Sequence, residues 1–353
     1  MALIDRGNEE AYFAAVNSGS GFISFFDEIF YAPQIVRRYV IKGGPGTGKS
    51  SFLRRVARHA QVSGKSVRYY YCSSDTDSLD GVIINGRVAL LDGTAPHSCD
   101  TVLAGACDEI INLGDFWSSS LLAENRERIS EYAFCKKREY ACAYSYLGAA
   151  SRTAEAVRSL SFRFVNKEKL CKNADKICAR SRVGSGSAAR MQVSAFGVKG
   201  SVRLATLKNE ARQISAVEDY YGAGALFMSE LLRSARLRGC DVAVSYDTVS
   251  HTVPDEILFL DSKELFYLCK SAPDDERTIK CVRFVDKNAL SPVRAMHRAS
   301  AQVYEMLLSL AAERLAAAGE AHAAAERIYV EAMDFGGVQS RCNAIIADAE
   351  RYY

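Results

Sequence analysis

Residues Gly43, Gly44, Pro45, Gly46, Thr47, Gly48, Lys49 and Ser50 match the spacing G-x-x-x-x-G-K-[ST]. Each position has a chemical reason. A phosphate needs several backbone N–H groups aimed at one point, and glycines let the chain present them without Cβ clashes. The loop should open onto the start of a helix, where orphan amides and the helix dipole both favour an anion. Lys49 would then reach the β- and γ-phosphates and the Ser50 hydroxyl would hold Mg²⁺, with Ser51 beside it in the first helical turn. These residues predict a site for a nucleoside triphosphate with its metal.

The flanking sequence supplies the elements such a loop needs. Arg38 to Ile41 is a β-branched and aromatic run, and helical periodicity begins at Lys49, which reads as strand, loop, helix. A second strand is predicted over 66–71 and a third over the apolar run 88–92. An aspartate at the carboxyl end of a buried parallel strand lies where a ligand crevice opens, so Asp92 is read as the acid that reaches Mg²⁺ directly or through water. No glutamate follows it, and the residue that many ATPases use to orient water is missing from that position. Asp75, Asp77 and Asp80 fall in a polar stretch read as a loop. They could orient water, bind a second metal or hold an acceptor substrate, with Asp75 the catalytic candidate among them, set against the plain reading of turn formers. His97 is read either as a general base or γ-phosphate sensor, or as a structural residue after Ala-Pro. The guanine-reading pattern N-K-x-D is missing, because Asn166-Lys167-Glu168 runs into Lys169, so ATP is preferred over GTP.

Length and charge bound the rest. A chain of 353 residues is expected to form two domains. Lys+Arg 45 against Asp+Glu 42 leaves a net charge of +3, too small to point to nucleic acid or an anionic membrane. The basic segment 158–182 reads as the solvated face of a helix before it reads as a nucleic-acid grip. Eleven cysteines with no C-x-x-C pair suggest reduced thiols. Asp5, Arg6, Glu9 and Glu10 stand where a secretory leader needs apolar residues, and no apolar run approaches the roughly 18 residues of a membrane span. The expectation is a soluble, cytoplasmic protein with no membrane partner.

The second half echoes the first. Gly64 pairs with Gly239 at an offset of 175, which also pairs Phe52 with Phe227, Val67 with Val242 and Asp80 with Asp255. In the second copy the loop reads EDYYGAGAL. Gly224 takes the place of Lys49, Ala225 that of Ser50, Cys269 that of Asp92, and Tyr220 and Tyr221 those of Pro45 and Gly46. A degenerate copy without a nucleotide site is expected, joined through the linker residues 184–187. The segments 119–147, broken at Gly148, and 291–318, broken at Gly319, predict a helical hairpin after each copy. The fold class is therefore read as α/β, a P-loop NTPase fold with a mostly parallel sheet flanked by helices, duplicated in tandem. Its domains span 1–182 and 183–353, and the second half is expected to fold by itself from near Ala188.

The segments KGGPGTGKS, CSSDTDSLDGVI, LLDGTAPH and RIYVEAMDF together resemble an uncharacterised bacterial family of tandem P-loop ATPase-like proteins. The resemblance implies nucleotide binding at Gly43 to Ser50 and a tandem architecture, with a P-loop in either half, a pattern from which this chain departs at Gly224 and Ala225. Three functions follow. The first is a Mg²⁺-dependent ATPase coupling nucleotide state to an unknown partner. The others are a kinase passing the γ-phosphate to a small molecule, and an ATP sensor without turnover.

Overall fold

The computed structural model describes residues 2–96 and 99–353. The first half builds a six-stranded sheet from β1 (Glu10–Phe13), β2 (Arg37–Lys42), β3 (Val67–Tyr71), β4 (Leu79–Ile84), β5 (Val88–Asp92) and β6 (Asp108–Asn112). The second half builds another from β7 (Ala188–Arg190), β8 (Gln213–Glu218), β9 (Val242–Tyr246), β10 (Pro254–Phe259), β11 (Glu264–Cys269) and β12 (Arg277–Lys280). The spatial orders are β1-β3-β4-β5-β2-β6 and β7-β9-β10-β11-β8-β12, the same topology twice. In each sheet the middle strand of a meander, β4 or β10, runs against its neighbours while the other pairings are parallel. The repeat seen in the sequence is thus a repeat of structure.

The six longest helices among the described residues complete the layers: α1 (Lys49–Val62), α2 (Arg126–Ser161), α3 (Lys167–Cys178), α4 (Ala223–Leu237), α5 (Arg294–Ala332) and α6 (Phe335–Ala349). The predicted hairpins do not form. α2 and α5 run unbroken through Gly148 and Gly319, for 36 and 39 residues, or about 54 and 58 Å at 1.5 Å per residue. The two glycines serve close approach instead of a break. A Cβ on Gly148 would lie 3.2 Å from the Gly19 carbonyl oxygen, and one on Gly319 would lie 3.3 Å from Val198. The hairpin that does exist is made between copies, where α2 packs along α5 through Ala143, Leu147, Ala150, Ala311 and Leu315.

The last helix of each copy crosses over. α3, which follows α2, buries Leu170, Ala174, Ile177 and Cys178 against Phe227 and Leu231 of α4, in the second half. α6, which follows α5, buries Val338, Cys342, Ile345 and Ala349 in the core of the first half and packs on α1. Backbone bonds fix both crossings: Asn166 N donates to Phe284 O at 2.8 Å, and Asp334 N donates to Phe116 O at 2.7 Å. Arg37 and the Tyr39 hydroxyl both bind the Asp348 carboxylate, tying the end of α6 to β2. The first core also continues across the chain onto Ala243, Leu258 and Leu265 of the second sheet. Among the described residues no helix is long and apolar enough to cross a membrane, and all eleven cysteines are free thiols.

This packing predicts that a fragment from Ala188 to Tyr353 does not fold cooperatively, against the expectation from the repeat. It lacks α3, so the apolar face of α4 is left bare, and α6 has lost the surface it covers. Denaturant titration followed by far-UV circular dichroism checks this; one sharp transition in the fragment would show that the crossing helix is dispensable.

Candidate functional site

The glycine-rich loop joins β2 to α1. Gly46 and Gly48 sit at φ +68° and +88°, left-handed values that side chains resist, and Gly48 caps the helix. Buried Thr47 donates its hydroxyl to Gly44 O at 2.9 Å and so closes the loop on itself. Lys49 turns back over the loop and donates to the carbonyls of Gly43 and Gly44 at 3.0 and 2.7 Å. Its ammonium lies 3.7 Å from the Asp92 carboxylate, across the gap between neighbouring strands β2 and β5. The parallel pairing of those strands brings the two together, because both carboxyl ends point the same way.

The acids around the loop are held in different ways. Asp92 accepts from the Thr94 amide at 2.9 Å and its hydroxyl at 2.5 Å, leaving the other oxygen toward Lys49. The Ser50 hydroxyl accepts from Leu79 N at 3.0 Å, which seats the start of α1 on the start of β4. That contact brings Asp80 to the site as a strand residue, where the sequence suggests a loop. Asp80 is buried, and burial followed by the Asp92 charge pushes its carboxyl well above the ordinary carboxylate range. Asp75 is exposed and accepts the Asp77 amide at 3.1 Å, in a turn. Ser51 is exposed, Pro45 is half-buried, and His97 lies outside the described residues.

A roof covers the loop, and it comes from the other copy. A Cβ on Gly44 would lie 2.6 Å from the Tyr329 ring, one on Gly46 2.7 Å from Glu326 O, and one on Gly48 3.5 Å from Phe335. Glu326 and the segment RIYVEAMDF that follows it, residues 327–335, therefore pack on the loop from the second half. The glycines are demanded from both sides, by backbone conformation at Gly46 and Gly48 and by close approach at Gly44 and Gly46. Lys136 from α2 and His322 from α5 stand in the same neighbourhood, within electrostatic reach of Lys49. Nothing in the local sequence marks either residue, since only the pairing of two distant helices brings them here.

The second loop is shorter and closed from within. Six residues separate Lys42 from Lys49, but only four, 219–222, separate Glu218 from Ala223. Gly222 takes the cap position with φ +86°, matching Gly48. Ala223 and Gly224 accordingly stand where the first loop has Lys49 and Ser50, one residue earlier than an unbroken repeat places them. Asp219 follows β8 as Gly43 follows β2, and its carboxylate accepts from Gly222 N at 2.9 Å and Gly224 N at 2.6 Å. Burial raises its pKa while those amides pull it down. The nest of N–H groups is thus filled by the chain's own carboxylate. Arg158 of α2 lies over this loop, 2.8 Å from where a Gly222 Cβ would be, as α5 lies over the first.

Comparison of the chain with protein-family models, curated proteins and solved structures returned no match. What the loop can do therefore rests on its own geometry.

Among the described residues no group of three or more His, Cys, Asp or Glu is placed to hold a metal ion.

The second loop gives a direct test of the anion nest. Asp219→Ala is expected to lower stability by about 1–3 kcal/mol, since it strands the amides of Gly222 and Gly224, and added inorganic phosphate should recover part of that loss. Denaturant unfolding with and without phosphate measures both; an unchanged midpoint would show that the carboxylate is not what holds the loop.

Proposed function

We propose that the loop Gly43 to Ser50 binds the phosphates of ATP with Mg²⁺, in a P-loop NTPase fold, and that the protein is a Mg²⁺-dependent ATPase coupling nucleotide state to a partner. One observation carries the reading. Lys49 stands at the head of α1, folded onto the carbonyls of Gly43 and Gly44, with Asp92 3.7 Å away at the end of the adjacent parallel strand. A lysine resting on its own loop carbonyls gives up two neutral acceptors when a phosphate offers charged ones, and charge-assisted bonds are about twice as strong. The amides of Gly48 to Ser50, at the start of a fourteen-residue helix, add the positive end of its dipole.

Ser50 and Asp92 would hold the metal, which when bound neutralises charge on the phosphate oxygens. Thr94 fixes the Asp92 carboxylate through two bonds to one oxygen, so the other is held facing Lys49. Coupling would pass through the roof. Glu326, Tyr329 and Val330 of α5 touch Gly44 and Gly46 directly, so a loop that shifts around phosphate must move a helix belonging to the other half. Gly93 follows Asp92 where a water-orienting glutamate would stand, which keeps open the reading of a sensor that binds ATP without turnover.

Lys49→Ala is expected to weaken ATP binding by about 100-fold, the equivalent of ~2.8 kcal/mol for a lost charged contact, with the fold intact. Calorimetry checks this, and equal affinity would remove the loop as the site. Asp92→Asn should keep most of the nucleotide affinity and lose Mg²⁺-dependent turnover, measured as phosphate release. Phosphate appearing on an added metabolite instead of in water would replace the ATPase by a kinase, and no consumption at all would leave the sensor.

A further inference from the structure

The two long helices carry a second set of basic groups to the loop. Lys136, on α2, donates to His322 Nδ1, on α5, across 3.1 Å. Both side chains are half-buried. Lys136 is within electrostatic reach of Lys49, of Asp92 and of the Cys72 thiol, and His322 is within reach of Lys136 and Lys49. Burial, then the charges of Lys136 and Lys49, lower the His322 pKa to about 4, so the imidazole is neutral and accepts the lysine proton. Burial also lowers Lys136. Three basic groups are thus drawn together away from bulk water, where they disfavour one another. Such a cluster favours an anion.

The internal repeat supplies an independent argument. α2 ends at Ser161 and α5 at Ala332, 171 residues apart, and the same offset pairs Gly148 with Gly319 and Glu155 with Glu326. It pairs Lys136 with Leu307 and His322 with Ser151. The copy that lacks Lys49 and Asp92, and fills its nest with Asp219, therefore also lacks this pair. The lysine–histidine pair occurs with the loop that carries the phosphate-type cation and has no counterpart at the other, where Arg158 of α2 lies over Gly222 instead.

We infer that Lys136 and His322 contact the terminal phosphate of the nucleoside triphosphate bound at the Gly43 to Ser50 loop. The inference rests on the nucleotide reading of that loop and deepens it. A phosphate oxygen replaces His322 as the acceptor for Lys136, and the imidazole, no longer facing an unbalanced ammonium, is drawn toward its protonated form and donates in turn. Each helix then contributes one contact to one phosphate. The terminal phosphate is thereby felt by both halves through α2 and α5, while a diphosphate reaches only the loop.

The test titrates ATP and ADP into the full chain as wild type, Lys136→Met, Lys136→Arg and His322→Gln. Lys136→Met is expected to weaken ATP binding by about 10- to 100-fold, as for loss of one charged hydrogen bond, and to leave ADP binding unchanged. Lys136→Arg should keep most of the ATP affinity, His322→Gln should show a smaller loss confined to ATP, and retained ADP binding shows that each variant is folded. Equal ATP affinity in wild type and Lys136→Met, or equal loss for ATP and ADP, overturns the assignment. Absence of Lys49-dependent ATP binding in the wild type would instead overturn the nucleotide reading and this inference with it.

Discussion

The pairing of α2 with α5 is the constraint on which the other parts depend. Each helix spans well over thirty residues, longer than its own sheet requires, and each finds its apolar partner in the other copy. Small residues at the contact, Ala143, Ala150 and Ala311, let the backbones approach, and Glu139 meets Arg314 across the seam. Because each helix ends over the opposite half, the helix that follows it docks there too. α3 and α6 thereby become outer layers of sheets they do not follow in sequence. The glycine loop gets its roof by the same route, from residues about 280 positions further along the chain. Fold and site are set by one contact.

Much of this was legible from residues, and the failures have physical causes. The strands 67–71 and 88–92 and the loop-to-helix transition at Lys49 stand in the structure where apolar patterning and glycine spacing put them. Gly148 and Gly319 misled because helix propensity penalises glycine by about 1 kcal/mol, whereas tertiary contact with the Gly19 carbonyl and Val198 rewards the missing side chain. The match of Gly224 to Lys49 slipped by one because the second loop is two residues shorter, which a constant offset does not register. Asp80 was placed in a loop because CSSDTDSLDG is polar, yet the strand begins at Leu79 inside that stretch. No pattern in the chain announces which copy a helix will cover, so the crossing of α3 and α6, and the meeting of Lys136 with His322, lay beyond any local reading.

The two loops show how one backbone arrangement can be made permanent or conditional. Converging amides at a helix start cost free energy when they lack an acceptor, and something must satisfy them. In the second half Asp219 does so by hydrogen bonds from a carboxylate tethered to the chain, at an effective concentration no solute matches, and the loop is two residues shorter with no counterpart of Lys49 or the Ser50 hydroxyl. In the first half Gly43 stands where Asp219 would be, and Lys49 turns onto the loop carbonyls. On the proposed nucleotide reading an external anion fills the first nest, and the packing around it responds to that anion. Since α5 rests on Gly44 and Gly46, and α6 continues from it into the first core, that response is not confined to one half: the permanent copy fixes one end of each long helix while the conditional copy sets the environment of the other.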